Sequence, residues 1–151
     1  MHKLFISALF LLLVTASRGL AQQVPGLRLE KDPWTKAQLI EPAVLAGILR
    51  DPKAAKPVIY NIGVVDDIPG AINLGGASEK ANLDRFSKSI AKLPPTTQVV
   101  IYCGCCPFAR CPNIRPAFLA MKAAGLRNGK LLNLPVNIRT DWISKGYPVA
   151  K

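Results

Sequence analysis

Cys103, Cys105, Cys106 and Cys111 are the only four cysteines in a chain of 151 residues, and they share one short stretch. Thiols at this density serve a small set of chemistries: nucleophilic sulfur, thiol–disulfide exchange, or ligation of a thiophilic metal. The spacing excludes a stabilising disulfide framework, because a bridge constrains the unfolded chain more the longer the loop it closes, and bridges inside 103–111 close almost nothing. Imidazole is nearly absent, since His2 is the only histidine. Once the first residues are removed, a Ser-His-Asp triad, a Cys-His pair and a histidine-ligated zinc site are all excluded.

Removal of those residues is what the sequence implies. His2 and Lys3 precede an apolar run from Leu4 to Ala16 and a small-residue exit at Gly19-Leu20-Ala21. This is the pattern of a secretory signal peptide over 1–21, and the run is short against the roughly 20 residues that a membrane-spanning helix requires. The mature chain is expected to start at Gln22, to lack a stable membrane span, and to be periplasmic or secreted. An exported thiol cluster meets an oxidising compartment, so it needs a reductant, a bound metal or a role in sulfur exchange. Cleavage takes Lys3 and Arg18 and no acid, which hardly alters the excess of 20 Lys and Arg over 9 Asp and Glu. That balance attracts anions and acidic surfaces. The lysines form no dense run and have no interleaved aromatics, so no nucleic-acid surface is expected.

The elements that must hold the cysteines can be read on either side of them. Residues 22–33 carry Pro25, Gly26 and Pro33 without any period and read as an irregular arm. Val44, Leu45, Ile48 and Leu49 recur at helical spacing after Pro42, which suits a first helical turn. Pro57 to Ile62 reads as a buried strand, and Ile68 to Leu74 as a Pro-Gly turn followed by another apolar stretch. Leu83 to Leu93 reads as an amphipathic helix ended by Pro94-Pro95. Gln98 to Tyr102 (QVVIY) is apolar and rich in β-branched residues after its first residue, as a central parallel strand should be, and it runs directly into Cys103. Ala117 to Ala124 reads as a helix stopped by Gly125. Lys130 to Leu134 reads as a strand, and Thr140 to Lys145 as a short last helix. Strands alternating with helices predict a single α/β domain with a mainly parallel sheet, whose ligands sit beyond the carboxyl ends of the strands.

Three stretches, in order, resemble the rhodanese family. Val65 to Leu74 (VDDIPGAINL) is similar to its GHIPGAINL segment, Val99 to Cys103 (VVIYC) to the strand that ends in its catalytic cysteine, and Asp141 to Val149 (DWISKGYPV) to its closing helix and turn. The resemblance covers roughly Trp34 to Val149 and implies a rhodanese-like domain over 34–151. It implies a five-stranded sheet flanked by helices and a sulfurtransferase that moves sulfane sulfur through a persulfide on Cys103. It also implies a small anionic donor such as thiosulfate, a thiol or protein acceptor, and no cofactor. The chain departs from the family pattern in four places. The loop after Cys103 is longer and holds the extra cysteines. Asp67 stands where the family often has His, Asn61 with Gly63 stands where many members have Asp and Arg, and Leu134 to Thr140 replaces a Gly-Gly segment.

With no imidazole at hand, Cys103 is expected to be an exposed thiolate stabilised by inward-pointing loop amides and by the start of the following helix. Arg110 and Arg115 are expected to bind the anionic substrate through charge-assisted bonds. The opposing reading makes Cys103 a buried, inert thiol and gives the chemistry to Cys105 or Cys106. Cys105, Cys106 and Cys111 are otherwise relay or resolving thiols, and Asn113 is expected to cap the helix after Cys111. The alternative from another class is a non-catalytic module whose cysteine loop binds a partner protein or a metal. Such a metal, zinc or Cu(I), would be ligated by Cys103, Cys105, Cys106 and Cys111, although the adjacent pair suits a tetrahedral site poorly. None of the four cysteines has an arginine at the offset of a tyrosine-phosphatase site. Trp34 and Trp142 are expected to pack in the core or at its edge.

Overall fold

In β4, Gln98–Tyr102, side chains alternate between the two faces of the sheet, and this alternation organises the whole architecture. The computed structural model describes residues 31–151. The signal peptide read over 1–21 and the arm as far as residue 30 lie outside the described residues. The remaining strands are β1, Leu39–Ile40; β2, Val58–Asn61; β3, Ala71–Asn73; and β5, Asn128–Leu132. The helices are α1, Pro42–Arg50; α2, Lys80–Ile90; α3, Ile114–Ala123; and α4, Ile138–Asp141. The strands form one five-stranded sheet in the order β1-β5-β4-β2-β3, and every neighbouring pair is parallel. β4 is therefore the central strand.

Each face buries its own apolar layer. Tyr60, Val99, Ile101 and Leu131 meet Phe86 and Ile90 of α2 and Ala117, Phe118 and Met121 of α3. On the opposite face Ile59, Val100, Tyr102 and Leu132 meet Leu45 and Ala46 of α1, Ile138 of α4 and Trp142 just after it. Burial of a large side chain of this kind stabilises the fold by about 1.5–3 kcal/mol. Trp34 packs against Phe108 and Phe118, and Trp142 is fully buried against Tyr147, so both tryptophans serve the core. No described helix is long and apolar enough to cross a membrane.

The boundaries differ from the expectation in places with identifiable causes. β1 is two residues long, too short to show any period, and exists through its pairing with Leu131 and Leu132. α3 starts at Ile114, ahead of the expected Ala117, because Pro116 falls in its first turn, where the missing N–H has no helical partner to lose. The helix expected over 140–145 breaks at Trp142 (φ −127°, ψ −64°) into α4 and a single 3-10 turn, Ile143–Lys145. There the buried indole donates to the carbonyl of Pro148 at 2.8 Å.

Candidate functional site

Cys103 is the residue after β4, and alternation sends it to the same face as Val99 and Ile101, into the layer under α2 and α3. It is 1% exposed, so the expectation of an exposed sulfur there is corrected. Strand geometry and one glycine account for the burial. A Cβ on Gly63 would stand 2.6 Å from Cys103 Sγ and 2.7 Å from its carbonyl oxygen, so the residue-63 backbone closes over the sulfur only because it carries no side chain. Asn61 fixes that turn: its Oδ1 accepts from Gly63 N at 3.0 Å, and its Nδ2 donates to Val65 O at 2.9 Å and to Asp67 Oδ1 at 2.8 Å. Asn73 Nδ2 donates to the same carboxylate.

Beyond Cys103 the chain changes sides. Gly104 has φ +73°, its carbonyl accepts from Ile138 N at 2.9 Å, and a Cβ on it would fall 2.7 Å from Ile138 Cβ. Cys105 emerges exposed, with its Sγ 3.1 Å from Cys103 Sγ and 3.5 Å from that of half-buried Cys106. Phe108 N donates to Leu134 O at 3.3 Å and ties the loop down. The chain then returns into the layer at Cys111, which is buried. The sulfurs of Cys103, Cys105 and Cys111 all lie within 4.8 Å of one another, and none of the four cysteines is in a disulfide. Asn113 does not cap α3. Its Nδ2 donates to Cys103 Sγ at 3.2 Å, while its Oδ1 accepts from Ser78 N at 2.8 Å.

One sulfur of this group is the thiolate. A hydrogen bond from the Cys111 thiol, followed by those from the Cys105 N–H, Asn113 and the Cys105 thiol, lowers the Cys103 pKa to about 5 against the opposing effect of burial. Most of these donors are side chains, where a ring of loop amides was expected. The neighbours shift the other way. Burial, then the contacts with Cys103 and Cys106, push Cys105 up to about 12, and donation to Cys103, then burial, push Cys111 up as well.

A cavity of about 480 Å³ opens beyond the carboxyl ends of the strands. Its walls come from Val64, Val65 and Asp66, from Gly104 and Cys105, and from Ile138 and Arg139 of α4. The Tyr102 hydroxyl holds the 64–68 wall, accepting from Ile68 N at 2.9 Å and donating to Asp66 O at 3.3 Å; burial pushes its pKa up, which keeps it a hydroxyl. The two arginines expected to bind substrate lie elsewhere. Arg115 bonds Asp32 Oδ1 at 2.7 Å and the Lys31 carbonyl at 3.2 Å, and its guanidinium lies 5.5 Å from the centre of the Trp34 ring. Its place on α3 turns it toward the start of the described chain and away from the cavity. Arg110 is exposed on the 3-10 turn Phe108–Arg110 and does not line the cavity.

Sequence reasoning missed Arg139 and the bond from Asn113 to sulfur. Arg139 lies just past the end of β5, where the rule that ligands gather beyond strand ends pointed. Asn113 had no distinguishing signal, because an asparagine before a helix reads first as a cap. Fold and site together define an α/β protein with one parallel sheet and a buried thiolate at the end of its central strand. No family model, curated protein or solved structure matches the chain.

Proposed function

We propose that this chain is an exported rhodanese-like sulfurtransferase in which Cys103 carries sulfane sulfur as a persulfide and Cys105 relays it to the surface. The observation that carries the reading is the pairing of a low-pKa sulfur with an exposed thiol 3.1 Å away on a cavity wall. Thiolates are the nucleophiles of sulfur chemistry, and near neutral pH Cys103 is the thiolate that the three converging sulfurs hold ready. Arg139, on the same cavity, replaces Arg110 and Arg115 as the cation facing an anionic donor.

The transfer balances with water as its only base. The Cys105 side chain rotates aside, and Cys103 Sγ attacks the outer sulfur of thiosulfate. The S–S bond of the donor breaks, and sulfite leaves with the bonding pair. Cys105 then gives its proton to water and attacks the terminal sulfur of the persulfide, and Cys103 departs as a thiolate. Low pKa makes Cys103 a good leaving group as well as a ready nucleophile. Sulfur now on exposed Cys105 meets an acceptor thiol or cyanide, while Cys111 keeps the charge on Cys103 and is placed to resolve a persulfide there.

The test is mass spectrometry of the reduced chain after thiosulfate, together with thiosulfate:cyanide sulfurtransfer. One added sulfur on Cys103, absent in Cys103→Ser, is the expected result. Cys105→Ser should still load Cys103 yet pass sulfur to cyanide more slowly. An unmodified wild-type chain, or unchanged activity in Cys103→Ser, overturns the reading.

A further inference from the structure

We infer that Cys103, Cys105 and Cys111 form a three-coordinate site for Cu(I), with Cys106 outside it. The positions of the sulfurs carry this. Three Sγ atoms from a buried strand end, an exposed loop and a buried helix approach lie within 4.8 Å of one another, the closest pair at 3.1 Å. Thiolates about 2.3 Å from a metal and spread evenly in a plane stand about 4 Å apart, so the trio encloses a cation after small side-chain movements. Gly104 turns Cys105 back toward Cys103, and Asn113 holds the Cys103 sulfur in place.

The same arrangement selects the metal. Structural zinc takes four ligands, and among the described residues no histidine, carboxylate or fourth cysteine joins the group. Cys106 touches only the outer sulfur, Cys105, at 3.5 Å. The poor fit of an adjacent cysteine pair to one metal therefore does not arise, because the pair is not used together. Calcium and magnesium require oxygen ligands and water, which a half-buried all-sulfur triangle does not offer. Thiolate ligands favour Cu(I), and three suffice for it. Each ligand that still carries a proton gives it to the buffer as the metal binds.

The inference does not rest on sulfur transfer, although it uses the same sulfurs; a consequence is that Cu(I) binding and persulfide formation on Cys103 exclude each other. The test titrates the reduced full chain with Cu(I) under anaerobic conditions against a colorimetric Cu(I) chelator, with X-ray absorption to count ligands. One Cu(I) per chain with three sulfur ligands is expected. Cys106→Ser should bind as wild type does. Cys105→Ser, at an exposed position with little bearing on folding, should weaken binding by more than the roughly tenfold that loss of an outer contact costs. No copper retained, equal losses in Cys106→Ser and Cys105→Ser, or tighter binding of zinc than Cu(I) overturns the assignment. Persulfide formation on the metal-free chain is scored separately, so failure of one proposal is distinguishable from failure of the other.

Discussion

Under α2 and α3 the sheet closes over a sulfur; beside α4, which packs on the opposite face, it leaves a cavity. Both faces are supplied by β4 and the residue after it: Val99, Ile101 and then Cys103 enter the first layer, Val100 and Tyr102 the second. The chain changes face at Gly104, and the next side chain, Cys105, reaches the cavity wall while its sulfur still touches Cys103. The closed face removes Cys103 from water, which alone would suppress its ionisation, and then overcompensates with donors from Cys111, Cys105 and Asn113. The open face offers room and a cation but holds its thiol protonated. Charge storage and access are thus separated by one turn of the backbone.

The largest expected effect comes from removing the stored charge. Cys103→Ser should abolish persulfide formation and also the ultraviolet thiolate absorbance at neutral pH, whereas Cys106→Ser should leave both in place. Next is the crossing itself. Gly104→Ala must hold a Cβ at positive φ and 2.7 Å from Ile138 Cβ, so it should cost about 1–3 kcal/mol in denaturant unfolding. It should also uncouple Cys105 from Cys103 and slow delivery of sulfur to cyanide. Gly129→Ala is the comparison from the closed layer. Its Cβ would stand 2.6 Å from Sδ, 2.8 Å from Cε and 3.1 Å from Cγ of Met121, a flexible side chain and not backbone, so a smaller loss of stability and no effect on delivery are expected.

Cys111 gives the third contrast, read in reduced, metal-free protein. Thiolate absorbance should appear with a midpoint near pH 5, and the rate of persulfide formation should rise through that pH and level off well below neutrality. Because Cys111 supplies the largest stabilisation of the Cys103 thiolate, Cys111→Ala should move both midpoints up toward the ordinary thiol range. The sign follows from the direction of the shift. With fewer donors the proton is held to higher pH, so the variant loses rate at acid and neutral pH and recovers it in alkali. An unmoved midpoint would mean that the closed face stabilises the charge without Cys111.

The fold was legible because its elements are stated locally. The run from Gln98 to Tyr102 has no helical period to compete with its strand reading, and Pro42, Pro94 and Gly125 punctuate the helices that flank it. The cysteines were legible as a site from their density alone. The face each occupies was not, since period two predicts that Cys103 follows Val99 and Ile101 inward only while the strand continues, and a loop residue is free of that rule. The residue-63 backbone lying on the sulfur comes from a different strand end, brought near by the β2–β4 pairing, and no spacing in the sequence announces it. The arginines mislead for a similar reason. Arg110 and Arg115 are near the cysteines in sequence, while Arg139 joins Cys105 on the cavity wall through tertiary bonds such as that between Gly104 and Ile138.

The smallest expected effect tests that last distinction. An exposed cation at the wall of an open cavity interacts with a small anion through high dielectric and mobile salt, so its contribution lies near 0.2–1 kcal/mol, a change of roughly 1.4- to 5-fold. Arg139→Gln should therefore raise KM for thiosulfate by a few fold at low ionic strength, leave kcat nearly unchanged, and lose its effect as salt is added. Arg115→Gln should do the reverse. It breaks the pair with Asp32 and the stacking on Trp34, so its cost, about 1 kcal/mol or less for the pair, should appear in unfolding and not in KM. If Arg115→Gln raises KM while Arg139→Gln does not, the donor enters by the closed face, and the division of labour between the two faces fails at its entrance.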